Sequence, residues 1–74
     1  MKKTRKYEGS WSANNGSTYN TGYTDNNKRR LAHDMRIIAR GNCFEGSSGS
    51  WSVYEIIKGE REELPILSGT VRNK

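Results

Sequence analysis

The chain has almost none of the residues that staple small proteins together. Its 74 residues include one cysteine, Cys43, and one histidine, His33. A lone thiol closes no intramolecular disulfide, and one Cys with one His falls short of the three or four ligands a structural zinc site needs. An unpaired thiol suits a reducing compartment, so the expected location is cytoplasmic. Apolar runs stop at two or three residues, far below the roughly 20 that cross a bilayer. The basic opening MKKTRKYEGSW lacks the apolar stretch of a secretory signal. No membrane association is expected.

Catalytic constellations are also missing. Cys43 and His33 are the only nucleophile and base of their kind, ten residues apart, which on a helix means about 15 Å of rise. Glu60, Glu62 and Glu63 crowd a turn-like stretch, KGERE, where carboxylates are ordinary solubilising charges rather than an acid–base pair or a magnesium site. The run GSSGS is followed by neither the lysine nor the helix start of a phosphate-cradling loop. Helix-turn-helix, zinc-finger and RNP-type signatures are absent as well. The chain therefore reads as non-enzymatic, without metal or cofactor.

Size allows one domain and a modest core. Only 31% of residues are hydrophobic, and the mean hydropathy is −1.02, polar enough to raise disorder as an alternative. Two Trp, four Tyr and one Phe, together with clear periodicity in three places, argue for a folded domain over 7–72. Residues 1–6 read as a flexible basic tail.

In KYEGSWSANNGSTYNTGYT, Tyr7, Gly9, Trp11 and Ala13 alternate with polar residues, as do Tyr19, Thr21 and Tyr23. Asn15-Gly16 between them predicts a hairpin with a two-residue type I′ turn, and Gly9 and Gly22 weaken the strands or mark bulges. A helix follows from about Asn26 to Arg40, capped by Thr24 or Asp25 and stopped by a left-handed Gly41. Leu31, Met35 and Ile38, flanked by Ala32 and Ala39, form its core stripe; Ile37 falls off that stripe and is the misfit of the pattern. WSVYEII and ELPILSGTV read as a second strand pair joined by KGERE, with Pro65 placing the last strand at a sheet edge. The expected fold is a small α+β domain of order ββαββ, one amphipathic helix packed on an antiparallel sheet. An open sheet leaves dimerisation possible. GSWS occurs twice, at 9–12 and 49–52; because the text diverges after each copy, the repeat reads as chance rather than duplication.

Charge carries the functional reading. Residues 1–40 hold nine Lys and Arg against three acids, whereas 41–74 hold four against five. The net +5 of the chain thus lies in its first half, a bias that favours an anionic partner. On the predicted helix, Arg29, His33, Arg36 and Arg40 fall within about 60° of one another, away from the core stripe, and Arg30 extends the patch. Lys3, Arg5 and Lys6 of the tail are further candidates for phosphate contact, since guanidinium and ammonium groups bind phosphate and release counterions. The competing reading is a plain solvated helix back, although such faces usually mix signs and only Asp34 interrupts this one. Tyr7, Tyr19 and Tyr54 are candidates for base stacking, set against the need for rings in the core.

The leading expectation is a small nucleic-acid-associated module using helix and tail. The alternative is a protein-interaction module, of phage or mobile-element type, docking its basic face on a larger acidic or nucleic-acid-binding partner.

Overall fold

A computed structural model describes residues 5–73. Strand β1 (Lys6–Ala13) pairs antiparallel with β2 (Thr18–Asp25); helix α1 (Lys28–Asn42) follows, then β3 (Ser48–Ile57), the short β4 (Glu60–Arg61) and β5 (Leu67–Arg72). The sheet runs β2-β1-β3, and β4 and β5 both pair with the far edge of β3. One helix packs on a curled antiparallel sheet, a half-barrel of order ββαβββ. The α+β class with a single covering helix is as expected; the return strand differs.

Alternation in β1 survives folding intact. Tyr7, Gly9, Trp11 and Ala13 are buried under α1, while Glu8, Ser10 and Ser12 face the other way. Gly9 lets the helix sit close: a Cβ there would lie 2.7 Å from Met35 Cγ and Sδ. Gly22 has φ +93° and sits at the register shift between Gly9↔Tyr23 and Ser10↔Thr21, the bulge its residue type suggested.

The hairpin turn is not the expected two-residue one. Ala13 pairs with Thr18, leaving four residues in the loop, and Asn14, Asn15 and Gly16 all have positive φ. Asparagine tolerates that conformation, and here both side chains have work to do. Asn14 Oδ1 accepts from the Phe44 N–H (2.7 Å) and Ser47 Oγ (3.0 Å), its Nδ2 donates to the Asn42 carbonyl (3.1 Å), and Asn15 Oδ1 accepts from Ser48 Oγ (3.0 Å). The loop tip clamps the connector between α1 and β3.

Helix α1 starts and stops later than its pattern suggests. Asn27, not Thr24 or Asp25, is the cap: its side chain accepts from the N–H groups of Arg29 and Arg30, both at 3.1 Å. Gly41 is helical rather than a left-handed stop; the helix runs on to Asn42, whose Nδ2 donates to the Ile38 carbonyl (2.8 Å). Leu31, Ala32, Met35 and Ala39 are buried against Tyr7, Trp11, Val53 and Val71, and Ile38 packs at the margin. Met35 and Val53 are its two largest fully enclosed side chains.

The expected return strand over ELPILSGTV is split. The ladder leaves β3 where Glu62 N–H donates to Glu55 O (3.0 Å) and resumes where Ile66 N–H donates to Val53 O (2.8 Å), so 63–65 loop outward. Pro65 has no N–H to offer a ladder, and the adjacent Glu62 and Glu63 favour water. Strand β5 lies at the edge, as Pro65 indicated, but Pro65 itself is outside it.

The two GSWS copies meet. Ser10, Trp11 and Ser12 pair with Ser52, Trp51 and Ser50 across β1 and β3, and the Ser12 and Ser50 hydroxyls hydrogen-bond at 2.8 Å. The repeat thus occupies the centre of the sheet as one antiparallel pair. Trp51 packs over Gly69, where a Cβ would come within 2.8 Å of its Nε1.

Candidate nucleic-acid interface

The helix divides as the wheel predicts. Its buried side chains face the sheet, and Arg29, His33, Arg36 and Arg40 are all exposed on the opposite wall. Among the described residues the ion pairs are Arg5–Glu55 (3.5 Å), Arg30–Asp25 (2.6 Å) and Arg61–Glu8 (3.4 Å). None of them takes a residue of the stripe. Asp34, the single acid on α1, bridges to none of the four.

Arg30 stands apart from that row. Its Nε and Nη2 donate to the two carboxylate oxygens of Asp25 at 2.8 and 2.6 Å, and Nη2 also donates to Asn26. The guanidinium beside Asp25 holds its carboxyl at about 2, below the usual 3.8; burial opposes this, and the Asn27 N–H assists. The same contact raises the Arg30 pKa. Arg30 therefore fastens the β2–α1 junction, and its bidentate fork is already filled.

Two residues of the expected tail belong to the fold. Lys6 opens β1 opposite Ile56, and Arg5 reaches Glu55. Lys3 lies outside the described residues.

Folding adds a cation that the sequence pattern did not mark. Arg36 and Arg40 share a groove of about 290 Å³ with Ile37 of α1 and with Thr70, Val71 and Arg72 of β5. Arg72 sits 32 residues beyond Arg40 on a strand whose spacing gives no hint of the helix beside it. Only the packing of β5 under α1 brings it there.

The aromatic candidates do not join this surface. Tyr7 is 5% exposed and belongs to the core, which removes it from the stacking set. Tyr19 pairs opposite Ser12, and Tyr54 opposite Glu8, so both rings sit on the sheet face away from α1. Tyr19 is 76% exposed. Tyr54 carries the Arg61 guanidinium 4.5 Å above its ring. Beside Tyr19 lies a shallow trough of about 370 Å³ lined by Ser10, Ser12, Ser50 and Ser52 and by Arg61. The duplicated GSWS was the sequence signal for these serines. The helix row and the exposed tyrosines thus occupy opposite faces of the molecule.

Cys43 is buried at the helix end and His33 is exposed on its outer wall, so the fold does not bring them together. Among the described residues, no three His, Cys, Asp or Glu side chains gather where they would hold a metal ion, and no helix is long and apolar enough to cross a membrane. No protein-family model, no curated protein and no solved structure matches the chain.

Proposed function

We propose that the protein is a small nucleic-acid-binding module that contacts phosphates through the outer wall of α1, with the basic N-terminal residues as further contacts. The observation that carries this reading is the exposed row Arg29, His33, Arg36 and Arg40, to which no carboxylate is bridged among the described residues. Three of the four arginines outside that row, Arg5, Arg30 and Arg61, each have a carboxylate partner. Arginine's planar fork matches phosphate oxygens, and the row spans twelve residues, about 16 Å along the helix axis. Phosphate contacts alone give affinity without sequence preference.

The test is a mobility-shift titration with random single- and double-stranded oligonucleotides at two salt concentrations. Binding should fall steeply with salt, by about 0.9 in the log–log slope for each duplex phosphate engaged. Replacing Arg29, Arg36 and Arg40 together with Ala should weaken binding and flatten that slope. Undiminished affinity in the triple variant would show that α1 is the wrong face.

The alternative, docking the basic face on a larger acidic or nucleic-acid-binding protein, draws on the same exposed row. A pull-down from nuclease-treated lysate separates the two: a docking module still recovers one dominant protein, and a nucleic-acid binder loses its captured material.

A further inference from the structure

We propose that the groove between α1 and β5 seats the sugar–phosphate backbone of a nucleic acid, with Arg72 as a phosphate contact and Ile37 as the surface under the sugar. This rests on the reading of α1 as a phosphate-binding wall, and adds where the strand lies and which part of it is recognised.

Among the described residues, three arginines, Arg36 and Arg40 from α1 and Arg72 from β5, line one groove that no Asp or Glu lines. Arginine does not shed its proton, so all three stay charged. Like charges beside protein walls repel more than they do in open water. None of the three takes part in the ion pairs among the described residues. A polyanion supplies the missing charge, and two phosphates flanking one sugar meet cations on both walls.

The floor narrows the class of anion. Ile37, off the core stripe, is 53% exposed and lies in this groove beside Val71, which is 8% exposed. A bare polyanion such as inorganic polyphosphate has no apolar surface to lay on Ile37. A ribose or deoxyribose between two phosphates has C–H surface, and covering Ile37 with it removes apolar area from water. The misfit of the helix pattern thus becomes the residue that tells a nucleic acid from a simple polyphosphate.

The experiment is fluorescence anisotropy on the full chain with three probes: a labelled random single-stranded oligonucleotide, a labelled duplex, and labelled inorganic polyphosphate. Arg72→Ala should weaken oligonucleotide binding about threefold to tenfold and lower the single-strand salt slope by about 0.7. Ile37→Ser should weaken oligonucleotide binding about twofold to threefold and leave polyphosphate binding unchanged. Lys58→Ala, in the β3–β4 turn and outside the groove, should change neither. Circular dichroism checks each variant's fold, and Arg72→Gln replaces Arg72→Ala should the latter lose structure. If Arg72→Ala binds like wild type while Arg29→Ala/Arg36→Ala/Arg40→Ala does not, the groove is wrong and the helix reading stands. If wild type binds no oligonucleotide, both are wrong. A Lys58→Ala loss equal to that of Arg72→Ala overturns the groove in favour of diffuse charge. An Ile37→Ser effect equal on all probes, or absent on all, overturns the role given to the sugar.

Discussion

The outer wall of α1 and the outer face of the sheet are both open to solvent, yet they handle charge in opposite ways. On the sheet face, Glu8 accepts from Arg61 (3.4 Å) and from the Thr21 hydroxyl (3.1 Å), and Ser10, Ser12, Ser50 and Ser52 line the trough beside them. On the helix wall, four basic side chains stand in a row without a bridging carboxylate among the described residues. A net charge of +5 does not distinguish these surfaces. The pairing does, and it is the reason the proposed polyanion contact is placed on the helix.

The strongest way to break this contrast is to remove the row. Arg29→Ala/Arg36→Ala/Arg40→Ala should lower the duplex salt slope by about 2 to 3, from about 0.9 per phosphate, whereas Arg61→Ala should leave it unchanged. Titration over a salt series measures both, and equal losses would erase the distinction between the faces.

The next effect concerns the scaffold that holds the two faces apart. Met35 is 1% exposed and rests on Gly9. Met35→Ala should cost about 2–5 kcal/mol in chemical denaturation, a large share of what so small a domain can hold. A loss under about 1 kcal/mol would mean that the helix is not pressed on the sheet there.

A smaller loss is expected at the loop tip. Asn14→Ala strands the Phe44 N–H and the hydroxyl of Ser47, and should cost about 1–2 kcal/mol, read as a lower melting temperature with native circular dichroism. An unchanged melting temperature would show that water replaces the clamp.

The smallest effect sharpens the comparison through pH. The Asp25 carboxyl is held at about 2 against the usual 3.8. Its depressed value means that the Asp25–Arg30 contact contributes fully above about pH 4 and is lost as pH falls toward 2. Wild type should therefore lose melting temperature over that window, and Asp25→Asn should show a shallower decline there. Parallel profiles would assign the acid sensitivity to other carboxylates.

Period-based features were legible from the chain alone. The β1 alternation, the core stripe of α1 and the exposure of Arg29, His33, Arg36 and Arg40 all follow from repeat lengths of two and 3.6 residues. What escaped depends on partners distant in sequence. Asn14 and Asn15 adopt left-handed backbone because the 42–48 connector needs their side chains, so a two-residue turn rule could not find them. Thr24 and Asp25 are chemically fit to cap a helix, but Asp25 is drawn to Arg30 and the cap passes to Asn27. Lys6 looked like tail because nothing local announces its pairing with Ile56. Tyr7 looked like a platform until its alternation with Trp11 placed it under the helix. Arg72 gave no local signal at all.

The two Ser-Trp-Ser segments carry a practical consequence. Both tryptophans of the chain stand opposite each other at Trp11↔Trp51, on the seam where the N-terminal hairpin meets the strands that follow the helix. Intrinsic fluorescence is therefore an optical probe of that seam: it should stay nearly silent while the first hairpin zips and change when the later half of the chain docks onto it.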